Sequence, residues 1–264
     1  MQGTQLKGLS MVAFVLRYGW DLLTRRNIQT HTICLPARFV AQLREEAQEQ
    51  LNLDPDGANV PFVSDGDVIT AWCARMIISS RPSGRSAIIM NVFDMRRRLS
   101  NTFADGGAYL QNLILGASVF LPAAAAPSTS RGQIALKLRK AIIEQTTDAQ
   151  TRSLLNIARR SYASSGSMPL FGSSDSVVIA STNWSKAGIR EAADFGAAVV
   201  DSSQLPAVVR DGFLPYWGTT ISVVDNPRDT LVIYGKDGDG DYWAHGYLRT
   251  ETWDLIQEEF NQYA

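Results

Sequence analysis

Apolar residues recur at helical spacing from Leu9 to Leu23, where Val12, Val15, Leu16, Trp20 and Leu23 stand among charges and predict an amphipathic helix. The alternating stretch Thr30 to Leu35 predicts a strand. Pro36 then opens a helix with Phe39, Val40, Leu43 and Ala47 on one face. After a loop from Asn52 to Val60, Ser64 is placed to cap a helix that carries Val68, Ile69, Trp72, Met76 and Ile77 inward. Strands are predicted over Ser86–Phe93 and Leu113–Phe120, separated by the basic segment Arg96–Gly107 and followed by a loop over Pro122–Ser130.

Two capping boxes, Ser130 with Gln133 and Thr147 with Gln150, open adjacent helices able to form a hairpin. Beyond the Ser/Gly-rich stretch Ser161–Ser176 the pattern turns to strands: Val177–Thr182, Gly218–Val224, Thr230–Tyr234 and Tyr242–Leu248. A last helix spans Thr250–Tyr263. The order lacks the regular β-α alternation of a doubly wound nucleotide-binding sheet, so the expected fold class is α/β in the sense of an α+β mixed sheet backed by helices. Residues 1–60 read as a connecting segment with the first helices and residues 61–264 as the main domain.

Composition narrows the function. The chain has 264 residues, 45% of them hydrophobic, which is enough for a sizeable core. Its 25 basic and 26 acidic residues nearly cancel, giving no electrostatic bias toward nucleic acid or anionic lipid. Cys34 and Cys73 are too few for a disulfide framework and too far apart for a short metal motif, which fits a reducing compartment. Arg17 and Asp21 interrupt the apolar run at Met11–Leu16 short of a membrane span, so a soluble, cytoplasmic protein is expected. The alternating aspartates Asp237, Asp239 and Asp241 fit a tight hairpin turn better than a calcium loop: Tyr242 stands where an EF-hand needs glycine and Leu248 where it needs glutamate. Neither a Gly-x-Ser-x-Gly elbow nor a phosphate-binding loop occurs, and no bound metal or cofactor is expected.

Four segments, in order, resemble the BAHD acyl-CoA-dependent acyltransferases of fungal type. They are Phe62-Val63-Ser64-Asp65-Gly66-Asp67 through Trp72; Asn91 to Leu99 with Tyr109-Leu110-Gln111-Asn112; Ser181-Thr182-Asn183-Trp184 with Asp194-Phe195-Gly196; and the closing strand pair and helix. Gln111 replaces the family's glycine, and Ala197 and Ala198 replace its Trp-Gly. The resemblance covers the carboxy-terminal half of such an enzyme. It implies a chloramphenicol-acetyltransferase-like half domain that uses acyl-CoA as co-substrate and a small-molecule hydroxyl or amine as acceptor, in secondary metabolism.

The resemblance also implies site roles. Thr182 and Trp184 match the residues beside the reacting carbonyl, where a hydroxyl and an indole N–H are able to donate to the developing oxyanion. Trp184 also fits an ordinary core aromatic. Ser181 and Thr182, with Arg96 and Arg98, are candidate coenzyme A contacts, although Arg96, Arg97 and Arg98 also fit a solvated turn. Tyr109, Asn112, Asp194, Phe195 and Gly196 are expected to be structural, Asp194 pairing with an arginine such as Arg96 or Arg98. Ser64 and Asp65 read as helix caps.

The family's general base is the histidine of a His-x-x-x-Asp motif. Here His31 is followed four residues on by Leu35 and His245 by Arg249, so neither fits. The expectation is a chain active only when an amino-terminal half supplies that motif, whether from an upstream segment, a separate chain or an intact homologue, and prone to self-association when alone. The rival is a truncated, non-catalytic homologue with a binding or modulating role. A half built to dock is expected to expose an apolar face.

Overall fold

The structure is a computed structural model describing residues 5–52, 62–82, 84–99, 102–103, 107–110, 112–198 and 227–263. The strand predicted over Gly218–Val224, most of the loop after Asn52, and Gln111 lie outside these residues. Six strands, β1 (Ile28–Leu35), β2 (Ala87–Asp94), β3 (Ile114–Leu121), β4 (Val177–Asn183), β5 (Thr230–Lys236) and β6 (Tyr242–Arg249), form one sheet in the order β1-β6-β5-β4-β2-β3. β2, β4 and β5 run parallel and the other pairings are antiparallel, which makes the sheet mixed, as expected.

Helices α2 (Ala37–Asn52), α3 (Asp65–Ser79), α4 (Arg131–Gln145) and α6 (Thr250–Tyr263) back one face of that sheet. The predicted inward faces hold: Phe39, Val40, Leu43 and Ala47 of α2, and Val68, Ile69, Trp72, Met76 and Ile77 of α3, all join a single core. Alternate strand residues, among them Ile89, Val119, Ile179, Ile233 and Ala244, meet them from the sheet. α2 and α4 close tightly because residue 132 is glycine: a Cβ there would lie 2.5 Å from the Ala47 carbonyl. β1 and α2 belong to this same sheet and core, although they precede the main domain in the sequence reading.

The acidic run is a turn that ties β6 to α2. Asp237 Oδ1 accepts the amides of Asp239 and Asp241, both at 3.0 Å, and its Oδ2 accepts the Trp243 indole N–H at 2.8 Å. Asp241 Oδ1 accepts the Ala37 amide at 2.7 Å, satisfying one of the open donors at the start of α2.

Two helices depart from expectation. In α1 (Gly8–Thr24) only Phe14 is buried, while Val12, Val15, Leu16, Trp20 and Leu23, the predicted packing face, are all exposed. α1 is anchored instead by charge, Asp21 reaching Arg85 at 2.7 Å. The hairpin of α4 with α5 (Asp148–Ser165) is loose: α5 buries only Thr151 and Ala158, whereas α4 packs against α2 and α3. Both helices begin as their caps predict, with Ser130 Oγ accepting the Gln133 amide at 3.2 Å and Thr147 Oγ1 that of Gln150 at 3.3 Å.

Candidate active site

Because β2, β4 and β5 are parallel, their carboxy-terminal ends meet at one edge of the sheet, with Thr182 in register with Val92 on one side and Val232 on the other. Strand alternation then separates the two neighbouring hydroxyls. Ser181 points under the helices, bonded to Thr70 Oγ1 at 3.0 Å and 2% exposed. Thr182 faces the other side and is half-buried.

The chain leaves β4 in a tight turn. The Trp184 amide donates to the Ile233 carbonyl, and the Ala187 amide to the Trp184 carbonyl, each at 2.8 Å. Trp184 is 38% exposed and lies outside the core. Its indole N–H donates to Thr182 Oγ1 at 3.0 Å. The two predicted donors therefore stand in series rather than side by side: the indole N–H is directed at Thr182 Oγ1, which keeps its own proton to donate elsewhere.

Two glycines that the sequence reading did not assign a role make this edge compact. A Cβ on Gly66, in the first turn of α3, would lie 2.6 Å from Asn183 Nδ2. Gly235 has φ 129, and a Cβ there would lie 3.1 Å from Ser185 Cα. The first turn of α3 is fixed beside them. Asp67 accepts the Ser64 amide and hydroxyl, both at 2.8 Å, and binds the Arg139 guanidinium. Asp65 takes Arg44 at 3.0 Å, Lys236 at 3.4 Å and the Tyr242 hydroxyl at 3.1 Å. Ser64 and Asp65 are thus a cap and a brace.

Beyond β2, Arg96 (in a 3-10 turn, Arg96–Arg98) bonds Asp94 Oδ1 at 3.0 Å and the Tyr109 carbonyl at 2.8 Å. Arg98 donates to Thr146 Oγ1 at 2.9 Å and lies over the Phe93 ring, and burial lowers its pKa. Both arginines brace this turn at the same end of the sheet as Thr182. Tyr109 meets Phe103 edge-on at 4.8 Å between centroids, and Asn112 is exposed. Asp194 accepts the Gly196 amide at 2.9 Å in a surface turn where Phe195 is exposed.

His31 lies exposed on β1, near Gln29. His245 lies in the same cross-strand row as Thr182 but two strands away, roughly 10 Å between backbones. It is buried, with Nδ1 bonded to Thr32 Oγ1 at 2.8 Å. Neither imidazole is placed to serve Thr182. Among the described residues no cluster of three or more His, Cys, Asp or Glu is placed to hold a metal, and no helix is long and apolar enough to cross a membrane.

No family model matches the chain. It is 50% identical along its whole length to the acetyltransferase BOT5 of Botryotinia fuckeliana and 32% identical over 98% of its length to the acetyltransferase pyiB of Pyricularia grisea. The chain is thus similar in sequence to fungal acetyltransferases. It spans about half the length of the curated relatives it matches, 52% of each of these two. Its fold is that of F. graminearum TRI101, solved with coenzyme A and T-2 mycotoxin, over 88% of this chain and 48% of that one, at TM-score 0.61 and 17% identity. Vinorine synthase shares the fold over 87% of this chain and 46% of its own, at TM-score 0.56 and 14% identity.

Proposed function

We propose that this BAHD-type chain forms the acyl-CoA-binding side of an enzyme that acylates a hydroxyl or amine of a small secondary metabolite, and that it acts when a half bearing His-x-x-x-Asp is supplied. The observation that carries the reading is the Thr182–Trp184 pair at the ends of the parallel strands. In the reaction, the supplied histidine takes the acceptor proton as its oxygen or nitrogen attacks the thioester carbonyl. A tetrahedral oxyanion forms, then collapses to expel the coenzyme A thiolate, which receives the proton from the imidazolium. Thr182 donates its hydroxyl proton to that oxyanion, and Trp184 fixes the direction of the donation through its own bond to Oγ1. The exposed apolar side of α1 supports docking of a second half.

Co-expression with the amino-terminal half of the 50%-identical relative, followed by release of coenzyme A thiol from acetyl-CoA, tests this. Turnover is expected from the pair and not from either part. Thr182→Val should lower kcat about 100-fold with little change in KM, as loss of an oxyanion donor does, and Trp184→Phe should lower it less. Turnover by this chain alone, or a Thr182→Val pair with unaltered kcat, would overturn the reading. A folded complex inactive toward every acyl donor would favour the non-catalytic role.

A further inference from the structure

The two outer strands of the sheet, β1 and β3, differ in how their free sides are covered. An open edge offers a row of unpaired amides and carbonyls to any other strand, and folds blunt it with charge, proline, a bulge or a covering group. The edge of β3 is covered at its middle: the Gln145 side-chain amide accepts from the Ser118 amide and donates to the Ser118 carbonyl, each at 2.9 Å, as the peptide of an added strand would. β1 has no such device among the described residues. Its sequence, Ile-Gln-Thr-His-Thr-Ile-Cys-Leu, holds no lysine, arginine, carboxylate or proline; it pairs with β6 without a bulge over all 8 residues, and Gln29 to Thr32 are exposed.

The pairing fixes the direction of the free groups. The Thr250 amide donates to the Asn27 carbonyl at 3.2 Å, so odd-numbered residues of this strand turn their backbone groups toward β6, and alternation leaves those of Thr30, Thr32 and Cys34 facing outward. We propose that this edge pairs antiparallel with β1 of a second copy of the chain, about a two-fold axis at His31. That register sets residues 28–34 of one copy against 34–28 of the other, with Thr30 opposite Thr32, and stays clear of Leu35, which is fully buried where the strand runs into α2. The ends then complement each other. Exposed Arg26 precedes the strand, and at its far end the Asp237–Asp241 turn carries three carboxylates, that of Asp239 on an exposed residue, against Lys236 and Arg38. An antiparallel partner brings each Arg26 alongside the other copy's turn, whereas a parallel one sets like ends together. β5 and β6 separate this edge from β4, so the pairing leaves Thr182 free and does not rest on the acyl-transfer reading.

Sedimentation velocity on the full chain tests the proposal, in a Leu16→Lys/Trp20→Lys background that removes association through the exposed side of α1. A reversible dimer is expected. Thr30→Pro should weaken it about tenfold or more, because it deletes one outward amide from each copy and leaves the bonds to β6 in place. Thr30→Lys, which puts a charge on the edge instead, should do the same and covers the case in which the proline variant fails to fold. Cross-linking in a Cys34→Ser background reads the register. Residues opposite each other in a non-hydrogen-bonded pair lie about 4.5 Å apart between Cα atoms, within disulfide reach, so His31→Cys should oxidise to a covalent dimer and Gln29→Cys, which faces Ile33 of the second copy, should not. A chain that stays monomeric, a dimer untouched by both Thr30 variants, or equal cross-linking from positions 29 and 31 would overturn the proposal. So would assembly with the amino-terminal half of the 50%-identical relative that is lost in Thr30→Pro, which would assign the edge to that half.

Discussion

Replacing Asp229 by asparagine should cost this fold about 3–5 kcal/mol, the range measured when one member of a buried ion pair is removed. The substitution isolates charge. Asparagine matches aspartate in size and tolerates the left-handed backbone that residue 229 adopts, at φ 51. The main-chain bond from the Ala180 amide to the Asp229 carbonyl, 3.0 Å, survives as well. What is lost is the counter-charge to an Arg81 side chain only 3% exposed. Burial pushes the Asp229 carboxyl above its usual range, while the Arg81 guanidinium pulls it back down. If burial dominated outright, the carboxyl would be protonated at neutral pH and asparagine nearly equivalent to it. Urea unfolding followed by far-ultraviolet circular dichroism, with Arg81→Met and the double variant completing a cycle, decides between these. The double variant should lose less than the sum of the singles by about 2 kcal/mol or more, since it leaves no charge buried. A loss below about 1 kcal/mol for Asp229→Asn, with additive singles, would refute an ionised pair.

Three further outcomes follow from the same structure. Gly132→Ala should destabilise by about 1–3 kcal/mol despite the better helix propensity of alanine, because its methyl meets the main chain of α2; an unchanged urea midpoint would count against that contact. Burial, and then the charge of His31, lower the His245 pKa. Stability should therefore be full above about pH 6.5, the unfolded value, and be lost as pH falls through the lower folded value, because there the unfolded chain binds a proton that the native one refuses. His245→Gln should flatten that slope, and an equal slope in both proteins would exclude His245 as its source. Leu16→Lys with Trp20→Lys, at positions 70% and 67% exposed, should reduce self-association in sedimentation without lowering the unfolding midpoint; a drop of several degrees would mean that α1 is packed after all.

Much of the fold was legible in the chain because hydrophobic period and capping chemistry are local. The faces of α2 and α3, the strands β2 to β6 and the span Thr250–Tyr263 follow from spacing alone. So does the hairpin at Asp237–Asp241, since alternating aspartates and glycines suit a turn whose amides need acceptors. The ordered family segments placed Thr182 and Trp184 at one site but gave no indication that their polar groups bond to each other.

The remainder was decided in three dimensions. Periodicity marks the apolar side of α1 but carries no information on whether another element covers it, and in this fold the described elements leave it bare. Alternation puts Ser181 and Thr182 on opposite sides of β4, yet only the docking of α3 through Thr70 selects which hydroxyl is buried. Gly66 and Gly235 take their meaning from Asn183 and Ser185, residues distant in sequence that the folded chain brings within a few ångströms. Local spacing fixes secondary structure and its faces. Contacts between distant segments, and hence sites, exist only once loop closure has brought those faces together.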